Sequence, residues 1–413
     1  MAISQWELSG QAFEEASDLT VGIEEEIQLL EPQTLSLTNR YQDLISLAPE
    51  NLREHLKGEL IASEIEIATR KCYTMQEAAE DLKARRQQLT ELALGRGIWL
   101  AATGTHPFSP WWEQQVIDTP HYRLVEQDLG YAAWRNNTFS FHLHLGVKGK
   151  DRAVKLADAL RSFLPSFLAL SASSPFAEGV LTRLHSTRTQ LFTKNFPRCG
   201  IPDAYGSWES YRTYLEFLIQ SNSIHDTSQI WWSIRPHVKL GTVEIRICDA
   251  QPRLEDTIGI SSLILAVAAK TLQLIDSGKA LTSHPHRLLE ENCWRATRYG
   301  LAGNLVDLES WREQPAPVVI EKLMDWCNGI AQGLGLEGYF HGLWNMLRHG
   351  NSAIHQIGLH QQGMPLREIH RRNASTTMGQ PLEMVQEPPV LQPQMWQVQP
   401  SPHPIESWGF VND

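Results

Sequence analysis

The sequence has no surplus of basic residues, no cysteine framework and no long apolar run. Its 36 lysine and arginine residues are outnumbered by 47 aspartate and glutamate residues, so the 413-residue chain has a formal charge of -11. Because nucleic-acid binding needs a basic surface that neutralises phosphates, neither DNA nor RNA is an expected partner. The five cysteines are odd in number and form no CxxC pair, which favours reduced thiols in a cytoplasmic protein over disulfides or a structural zinc site.

Signals for export, membrane insertion and P-loop nucleotide binding are also missing. Residues 1–10 contain neither the basic region nor the apolar stretch of a signal peptide. The most apolar run, residues 263–269, is far shorter than the roughly 20 residues that cross a bilayer and predicts a buried helix. The nearest approach to Gly-x-x-x-x-Gly-Lys-Ser/Thr, residues 146–151, ends in Lys-Asp. We therefore expect no membrane partner and no P-loop NTPase.

Alternation of apolar and polar residues predicts several strands, and longer apolar periods predict helices. Strands are expected at residues 19–30, 60–69, 97–103, 138–147, 230–237 and 241–248, the last two forming a hairpin. Helices are expected at residues 75–94, 151–170, 207–219, 255–275 and 318–333. Thr74 and Glu77 form a capping box for the first helix, which should end at Gly95. Antiparallel strands with helices grouped after them favour the α+β class.

The chain divides into three parts by composition. Residues 1–18 are an N-terminal lead, and residues 19–375 hold the predicted strands and helices as one domain. Residues 376–413 form a tail rich in proline and glutamine, with seven of the 22 prolines from residue 381 onward. Such a composition buries too little apolar surface to order a chain, so we expect the tail to be poorly ordered.

Glutamates lie inside two of the predicted strands. The two-residue period of a strand places Glu24 and Glu26 on one face and Glu25 on the other. Carboxylates side by side need a cation or protons to offset their repulsion, and magnesium prefers oxygen ligands. Glu59 and Glu66, before and within the second strand, are candidates for the same site. The alternative for each residue is a solvated strand face or an exposed ion pair.

Two further strands combine histidine, arginine and glutamate. His142 and His144 share a strand face and could bind a metal or hold phosphate oxygens. Glu244 and Arg246 also face one way, either as a plain ion pair or as a metal ligand beside a guanidinium that stabilises a transferring phosphoryl group. Arg235, on the preceding strand, could reach a carboxylate or phosphate of a substrate.

Eight short motifs, taken in order, resemble those of the YbdK-type carboxylate-amine ligases, the glutamate-cysteine ligase type 2 family. The motifs are VGIEEEIQLL, ELIASEIEIAT, ATGTHPF, FHLHLGV, SASSPF, FPRCGIP, WWSIRP and GTVEIRICD. The resemblance covers about residues 19–350, and ENCWRATRYGL is similar to a helical segment of the family. It implies a glutamine-synthetase-like catalytic domain, with a curved and largely antiparallel sheet around a site for ATP and metal.

The resemblance also implies roles for individual residues. The positions that hold divalent ions in related ligases are matched here by Glu24, Glu26, Glu59, Glu66, His142 and Glu244. His144 and Arg246 match positions near the nucleotide phosphates, while Arg235 and the loop of residues 103–106 resemble elements on the substrate side. The implied cofactors are ATP and magnesium, with manganese as an alternative ion. One departure is Ser140, where the family often has glycine, and it leaves the width of the site open.

The activity implied by the resemblance is ATP-dependent joining of a carboxylate to an amine, as in a glutamate–cysteine ligase. Because a carboxylate is a poor acylating agent, such an enzyme first converts it to an acyl phosphate, from which the amine displaces phosphate. Arg246 and Arg235 are the candidate catalytic residues, and no residue is singled out as the base for the amine. Glutamate and cysteine are the implied amino-acid substrates, a different acid or amine stays open, and so does a homodimer.

Two other functions remain open from the sequence. A metal-dependent amidohydrolase could use His142 and His144 to bind zinc, without ATP, but it leaves the paired glutamates unexplained. A catalytically silent relative could bind nucleotide without turnover. A single sequence does not separate these alternatives, because a fold does not determine its chemistry.

Overall fold

A seven-stranded sheet forms the centre of the computed structural model, which describes residues 4–279 and 282–380. Its strands are β1 (Val21–Leu30), β2 (Leu56–Lys57), β3 (Glu64–Ala68), β4 (Trp99–Ala101), β5 (Phe141–Gly146), β6 (Ile234–His237) and β7 (Thr242–Ile245). Their order across the sheet is β6-β7-β5-β1-β3-β2, and β4 also pairs with β1. These pairings are antiparallel, so the predicted α+β class with a largely antiparallel sheet is confirmed.

Helices and short strand pairs surround the sheet. The α-helices are Gln5–Ser9, Gln11–Glu15, Tyr41–Leu47, Glu50–Arg53, Met75–Leu94, Pro120–Leu129, Tyr131–Trp134, Lys150–Leu160, Leu164–Ser171, Thr187–Asn195, Trp208–Gln220, Leu254–Asp276, His286–Tyr299, Ala316–Gly333, Glu337–His349, Ser352–Gln361 and Leu366–Thr377. Short 3-10 helices lie at Trp111–Glu113, Arg161–Phe163, Thr227–Gln229 and Gly300–Ala302. The strand pairs are Phe176–Ala177 with Val180–Leu181, Cys199–Gly200 with Trp231–Trp232, and Asn304–Asp307 with Arg312–Pro315.

The two faces of the sheet differ in polarity. Apolar side chains on one face, such as Ile23, Ile65 and Leu143, are fully buried in the main core. This face packs against the long helices Met75–Leu94 and Leu254–Asp276. Because successive residues of a strand point to opposite faces, the polar residues between these apolar ones gather on the other face. That face carries the candidate site.

The helix Leu254–Asp276 is long and apolar enough to cross a membrane by length and composition, with a mean hydropathy of 1.8 over an 18-residue window. However, 72% of that window is buried inside the protein, where the helix packs against other helices, including Ala316–Gly333 and Glu337–His349. Buried core helices also reach this length and hydropathy, so the values for this helix are only weak evidence for a membrane span. The prediction of a buried helix here is confirmed.

Several predicted boundaries hold and others are too wide. The helix Met75–Leu94 ends before Gly95 as predicted, and the Thr74 side chain accepts a hydrogen bond from the Glu77 N–H. The prediction of one strand over residues 60–69 is wrong at its start, because β3 begins at Glu64. There the Ala62 N–H bonds instead to the Gln115 carbonyl. The predicted strand over residues 230–237 is likewise split into Trp231–Trp232 and β6.

The ends of the chain lie partly outside the described residues. The predicted N-terminal lead, residues 1–18, contains two short helices within its described part. The last helix, Leu366–Thr377, crosses the predicted domain boundary at residue 375, and Thr377 accepts a hydrogen bond from the Ala102 N–H. The rest of the predicted tail, residues 381–413, lies outside the described residues.

Gly241, in the turn between β6 and β7, gives a test of the hairpin. Its backbone has a φ of +64°, and an added Cβ would lie 2.2 Å from the Ala12 carbonyl oxygen. We expect Gly241→Ala to cost about 1–2 kcal/mol for the left-handed backbone and about 1–3 kcal/mol more for the clash. Urea unfolding would measure both contributions.

Gly97 provides the matched control for this substitution. It has the same φ of +64°, but within the described part of the chain no atom lies within 4 Å of an added Cβ. Gly97→Ala should therefore show the backbone cost alone. Equal losses of stability in the two variants would mean that the turn shifts away from Ala12 without loss of stability, so that this close contact does not contribute to the fold.

Candidate functional site

A cavity of about 410 Å³ opens on the polar face of the sheet. Its lining includes every residue predicted to bind metal or phosphate, namely Glu24, Glu26, Glu59, Glu66, His142, His144, Arg235, Glu244 and Arg246. Its volume lies within the range of small-molecule sites, about 300–1,000 Å³. The structure thus brings the predicted residues together from five strands, with Glu59 and Arg246 in the segments next to β3 and β7.

The strand register explains how distant residues meet. Glu26 lies opposite Glu66 in the β1–β3 pair, and Glu24 lies opposite His142 in the β1–β5 pair. Glu244 lies opposite both His144 and Arg235 in its two pairings. Since directly opposed residues point to the same face, these pairs form one continuous polar surface.

Glu25 points to the opposite face, as the alternation predicts. Its carboxylate accepts two hydrogen bonds from the Arg86 guanidinium, of 3.0 and 2.7 Å, and one of 2.7 Å from the Thr257 hydroxyl. Arg86 also donates to the carbonyls of Gln251 and Pro252. This buried ion pair therefore lies on the face of the sheet that packs against the two long helices.

Three overlapping groups in the cavity have the composition of metal sites. Within each group, the potential ligand atoms lie within 4.8 Å of one another. The groups are Glu24, His144 and Glu244; Glu24, Glu66 and His142; and Glu26, Glu59 and Glu66. Glu24 and Glu66 belong to two groups each, so neighbouring cations could share their oxygens.

Crowding of carboxylates shifts their protonation. Burial, together with the charges of Glu66 and Glu26, raises the pKa of Glu59 well above its ordinary value. Burial and the charge of Glu24 likewise raise the pKa of Glu66 to about 7. A bound cation would reverse these effects, because an opposite charge favours the ionised form.

The two histidines are held in different electrostatic states. Burial and the charge of Arg246 lower the pKa of His142, which keeps its imidazole neutral and able to bind a metal. For His144, burial would lower the pKa, but Glu24 and Glu244 raise it above the ordinary value. His144 is therefore suited to carry positive charge toward an anionic ligand.

Glu244 lies between two guanidinium groups. Arg235 and Arg246 each donate a hydrogen bond to one of its oxygens. Burial would raise the pKa of Glu244, but these two charges hold it well below the ordinary value. The carboxylate in turn orients both arginines toward the cavity.

Ser140 ties two predicted ligands together. Its hydroxyl donates to the Glu26 Oε2 at 2.6 Å and lies 2.8 Å from the His142 Nε2, and its N–H also donates to Glu26. When Glu26 is ionised, the single hydroxyl proton goes to it, so Ser140 accepts from the Nε2–H of His142. The Nδ1 of His142 is then left with a lone pair. Glycine at this position could not make these side-chain bonds.

The sequence alone did not single out Lys57, Glu64 or Arg188, which also line the cavity. The Lys57 ammonium lies 3.0 Å from a Glu24 oxygen and 2.8 Å from a Glu66 oxygen. Burial opposes its charge, but Glu66 and Glu24 raise the pKa of Lys57 above the ordinary value. A signal for Glu64 was present, because alternation places it on the same face as Glu66.

The loop of residues 103–106 does not line this cavity. His106 is fully buried, contacts the Leu35 carbonyl through its Nε2, and packs edge-on against His370. The loop therefore packs outside the cavity lining, and its resemblance to elements on the substrate side stays a prediction.

Comparison with known proteins gives matches over most of the chain. The model of the glutamate-cysteine ligase family 2 matches residues 20–370. A Solibacter usitatus protein named "Putative glutamate--cysteine ligase 2" is 38% identical over 352 residues, which cover 85% of this chain and 91% of that protein. "Putative glutamate--cysteine ligase 2-2" of Rubrobacter xylanophilus is 40% identical over 319 residues, 77% of this chain and 82% of that protein.

Solved structures share the fold at low sequence identity. A glutamate–cysteine ligase from Francisella tularensis, crystallised with AMP, has a TM-score of 0.65 at 13% identity, covering 88% of this chain and 89% of that one. A bifunctional glutathione synthetase from Pasteurella multocida has a TM-score of 0.65 at 12% identity. The match covers 90% of this chain and 53% of the synthetase. These likenesses concern the fold, and they agree with the predicted glutamine-synthetase-like architecture.

Proposed function

Since this chain belongs to the glutamate-cysteine ligase family 2, we propose that its acidic cavity binds ATP with divalent cations and joins an amino-acid carboxylate to an amine. Membership of the family makes the chain an ATP-dependent ligase. The observation that carries the finer proposal is the set of three overlapping carboxylate and imidazole groups beside two guanidiniums in one cavity. The relatives described above are named as ligases, and they give the amidohydrolase alternative no support.

The residues present fit magnesium or manganese. Carboxylate oxygens dominate the three groups, as hard cations prefer, and two imidazoles add ligands that manganese also accepts. The Lys57 ammonium, held between Glu24 and Glu66, occupies the position of a cation between these carboxylates. When bound, the divalent ions would neutralise phosphate oxygens and offset the charge that develops during phosphoryl transfer.

Arg246, Arg235 and His144 form the positive side of the proposed site. A carboxylate oxygen of the donor acid attacks the γ-phosphorus of ATP, ADP leaves, and an acyl phosphate forms. The guanidinium of Arg246, whose side chain is 13% exposed, is positioned by Glu244 to offset charge on the transferring group. The amine nitrogen then attacks the acyl carbon, phosphate leaves, and the nitrogen loses a proton to a base that we do not assign.

A second cavity supplies room for the rest of a nucleotide. It measures about 390 Å³ and shares Glu24, Lys57, His144 and Leu240 with the first cavity. Gly22 and Gly146, on neighbouring strands, are among the residues that line it. We place the nucleoside here and the phosphates beside His144, where the two cavities meet.

Glutamate as donor and cysteine as acceptor are the substrates that the names of the relatives support. From the sequence we also propose a cytoplasmic location, a homodimer, and no nucleic-acid or membrane partner. The role of each site residue is likewise a proposal that rests on its position in the cavity.

ADP release from the purified protein tests this function. ATP and magnesium would be supplied with glutamate and with a panel of amines that includes cysteine, one at a time. We expect ADP formation that requires both an acid and an amine and that stops when the metal is chelated. ADP formation without an acid, or none with any pair, would contradict the proposed ligase reaction.

A further inference from the structure

Lys57 lies between two carboxylates that the potential ligand groups share. Its ammonium donates to a Glu24 oxygen at 3.0 Å and to a Glu66 oxygen at 2.8 Å. Glu24 and Glu66 each belong to two of the three groups, and both occur in the group completed by His142. An ammonium has no lone pair with which to bind a metal. Lys57 therefore places a positive charge at oxygens that a divalent cation would use.

The side chain of Lys57 can leave these carboxylates. It is 55% exposed, whereas the side chains of Glu24 and Glu66 are 16% and 4% exposed. Within the described residues, its ammonium donates hydrogen bonds to these two carboxylates alone. Ion pairs with so exposed a partner contribute little free energy, so a cation of higher charge is able to displace the ammonium.

The backbone of Lys57, by contrast, is fixed beside the cavity. β2 pairs with β3 in a register that sets Lys57 opposite Glu66 and Leu56 opposite Ile67. The Leu56 side chain is 5% exposed and belongs to the main core. A displaced ammonium therefore stays within the reach of its flexible four-carbon stem.

Lys57 lines both cavities, at the junction where the proposed function places the phosphates. Of the four residues that the two linings share, Lys57 and His144 are the ones able to carry positive charge. The sequence contains no Gly-x-x-x-x-Gly-Lys-Ser/Thr segment, so no lysine of that kind serves the phosphates. Because a lysine binds phosphate as a point charge, the ammonium of Lys57 can take that role from its place on β2.

We propose that Lys57 exchanges between two anionic partners. It holds Glu24 and Glu66 together before a divalent cation binds, and it moves to the phosphates of the nucleotide when the cation takes those carboxylates. This inference rests on the proposed ligase function and adds a nucleotide-binding residue to its site. Metal binding then releases a positive charge that the nucleotide uses, so each ligand strengthens the binding of the other.

Manganese binding without nucleotide, followed by electron paramagnetic resonance, tests the first position of the ammonium. Lys57→Met keeps a side chain of similar length and removes the charge. The variant should bind manganese roughly 2- to 30-fold more tightly than wild type, the range for two ion pairs that no longer oppose the metal. Unchanged or weaker manganese binding would overturn the inference, because the ammonium would then not compete with the cation.

Lys239→Met is the matched control for the loss of one charge. Lys239 also lines the first cavity, but its ammonium pairs with Asp226 and Glu7, which belong to none of the groups found among the described residues. Its manganese affinity should change less than that of Lys57→Met. Lys57→Arg keeps the charge and should bind manganese no more tightly than wild type. An equal gain in Lys239→Met would make net charge the cause and contradict displacement.

Nucleotide binding at saturating manganese tests the second position. Lys57→Met should bind a non-hydrolysable ATP analogue roughly 10- to 100-fold more weakly than wild type, the range for a charged hydrogen bond, and should bind adenosine equally well. A purely structural role would weaken metal and nucleotide binding together, whereas exchange predicts opposite changes. Equal affinity of the two proteins for the analogue would refute the exchange. Because binding is read without turnover, failure of the ADP assay is a separate outcome.

Discussion

Glu26→Gln is expected to reduce metal-dependent ADP formation by at least roughly 100-fold, since even groups that only support metal ligands cost about 10- to 100-fold when they are mutated. The substitution removes one charge and one ligand oxygen from the group formed with Glu59 and Glu66. The amide oxygen that remains can still accept the hydrogen bonds that Ser140 donates. We therefore expect the fold to be retained.

The assay would measure kcat and the magnesium concentration for half-maximal rate, with thermal unfolding as the test of folding. Without metal, Glu26→Gln should unfold at the same or a higher temperature than wild type, because repulsion within the acidic group is relieved. Glu80→Gln, on the exposed face of the helix Met75–Leu94, is the control and should behave as wild type. Unchanged activity of Glu26→Gln would remove Glu26 from the proposed metal site.

Arg86→Met should have the opposite effect, a large loss of stability that originates outside the cavity. Removing one partner of a buried ion pair costs about 3–5 kcal/mol, because the remaining charge stays buried and uncompensated. Here the Glu25 carboxylate, 1% exposed, would retain the Thr257 hydroxyl as its hydrogen-bond partner. Two backbone carbonyls would also lose a donor.

Urea unfolding would measure this loss, with Arg123→Met as the matched control. Arg123 pairs with Asp118 at the surface, where its side chain is 65% exposed, and such pairs contribute about 0–1 kcal/mol. The double variant Glu25→Gln, Arg86→Met should lose less stability than the two single variants together, because it leaves no unpaired charge. Additive losses would show that the two residues act independently.

Glu25 and Glu26 illustrate how much the sequence could predict. The two-residue period of a strand places adjacent glutamates on opposite faces of the sheet, one toward the core helices and one toward the cavity, without knowledge of the fold. The same rule placed His142 and His144 on one face, as observed. What it could not supply was register, which sets Glu244 opposite His144 in one strand pair and opposite Arg235 in another.

Lys57 and Arg188 were missed because their segments carry no periodic signal. Lys57 lies in a strand of two residues, Leu56–Lys57, and Arg188 lies in the first turn of the polar helix Thr187–Asn195. Tertiary contacts alone bring them to the cavity. The loop of residues 103–106 shows the converse, because its motif stands in the expected order although the loop lies outside the cavity lining, where His106 contacts Leu35 and His370.

The strand order of the sheet also has a consequence for the time at which the protein can fold during its synthesis. Glu24 and Glu26 leave the ribosome first, while Arg235 and Arg246, which balance part of the acidic charge, follow more than 200 residues later. At about 5–20 residues per second, the nascent chain carries these carboxylates for roughly 10–40 seconds before the two arginines exist, with Lys57 as the earlier counter-charge of Glu24. Water stabilises them in that interval, so the acidic face can close only after β7 has been translated and has paired with β5.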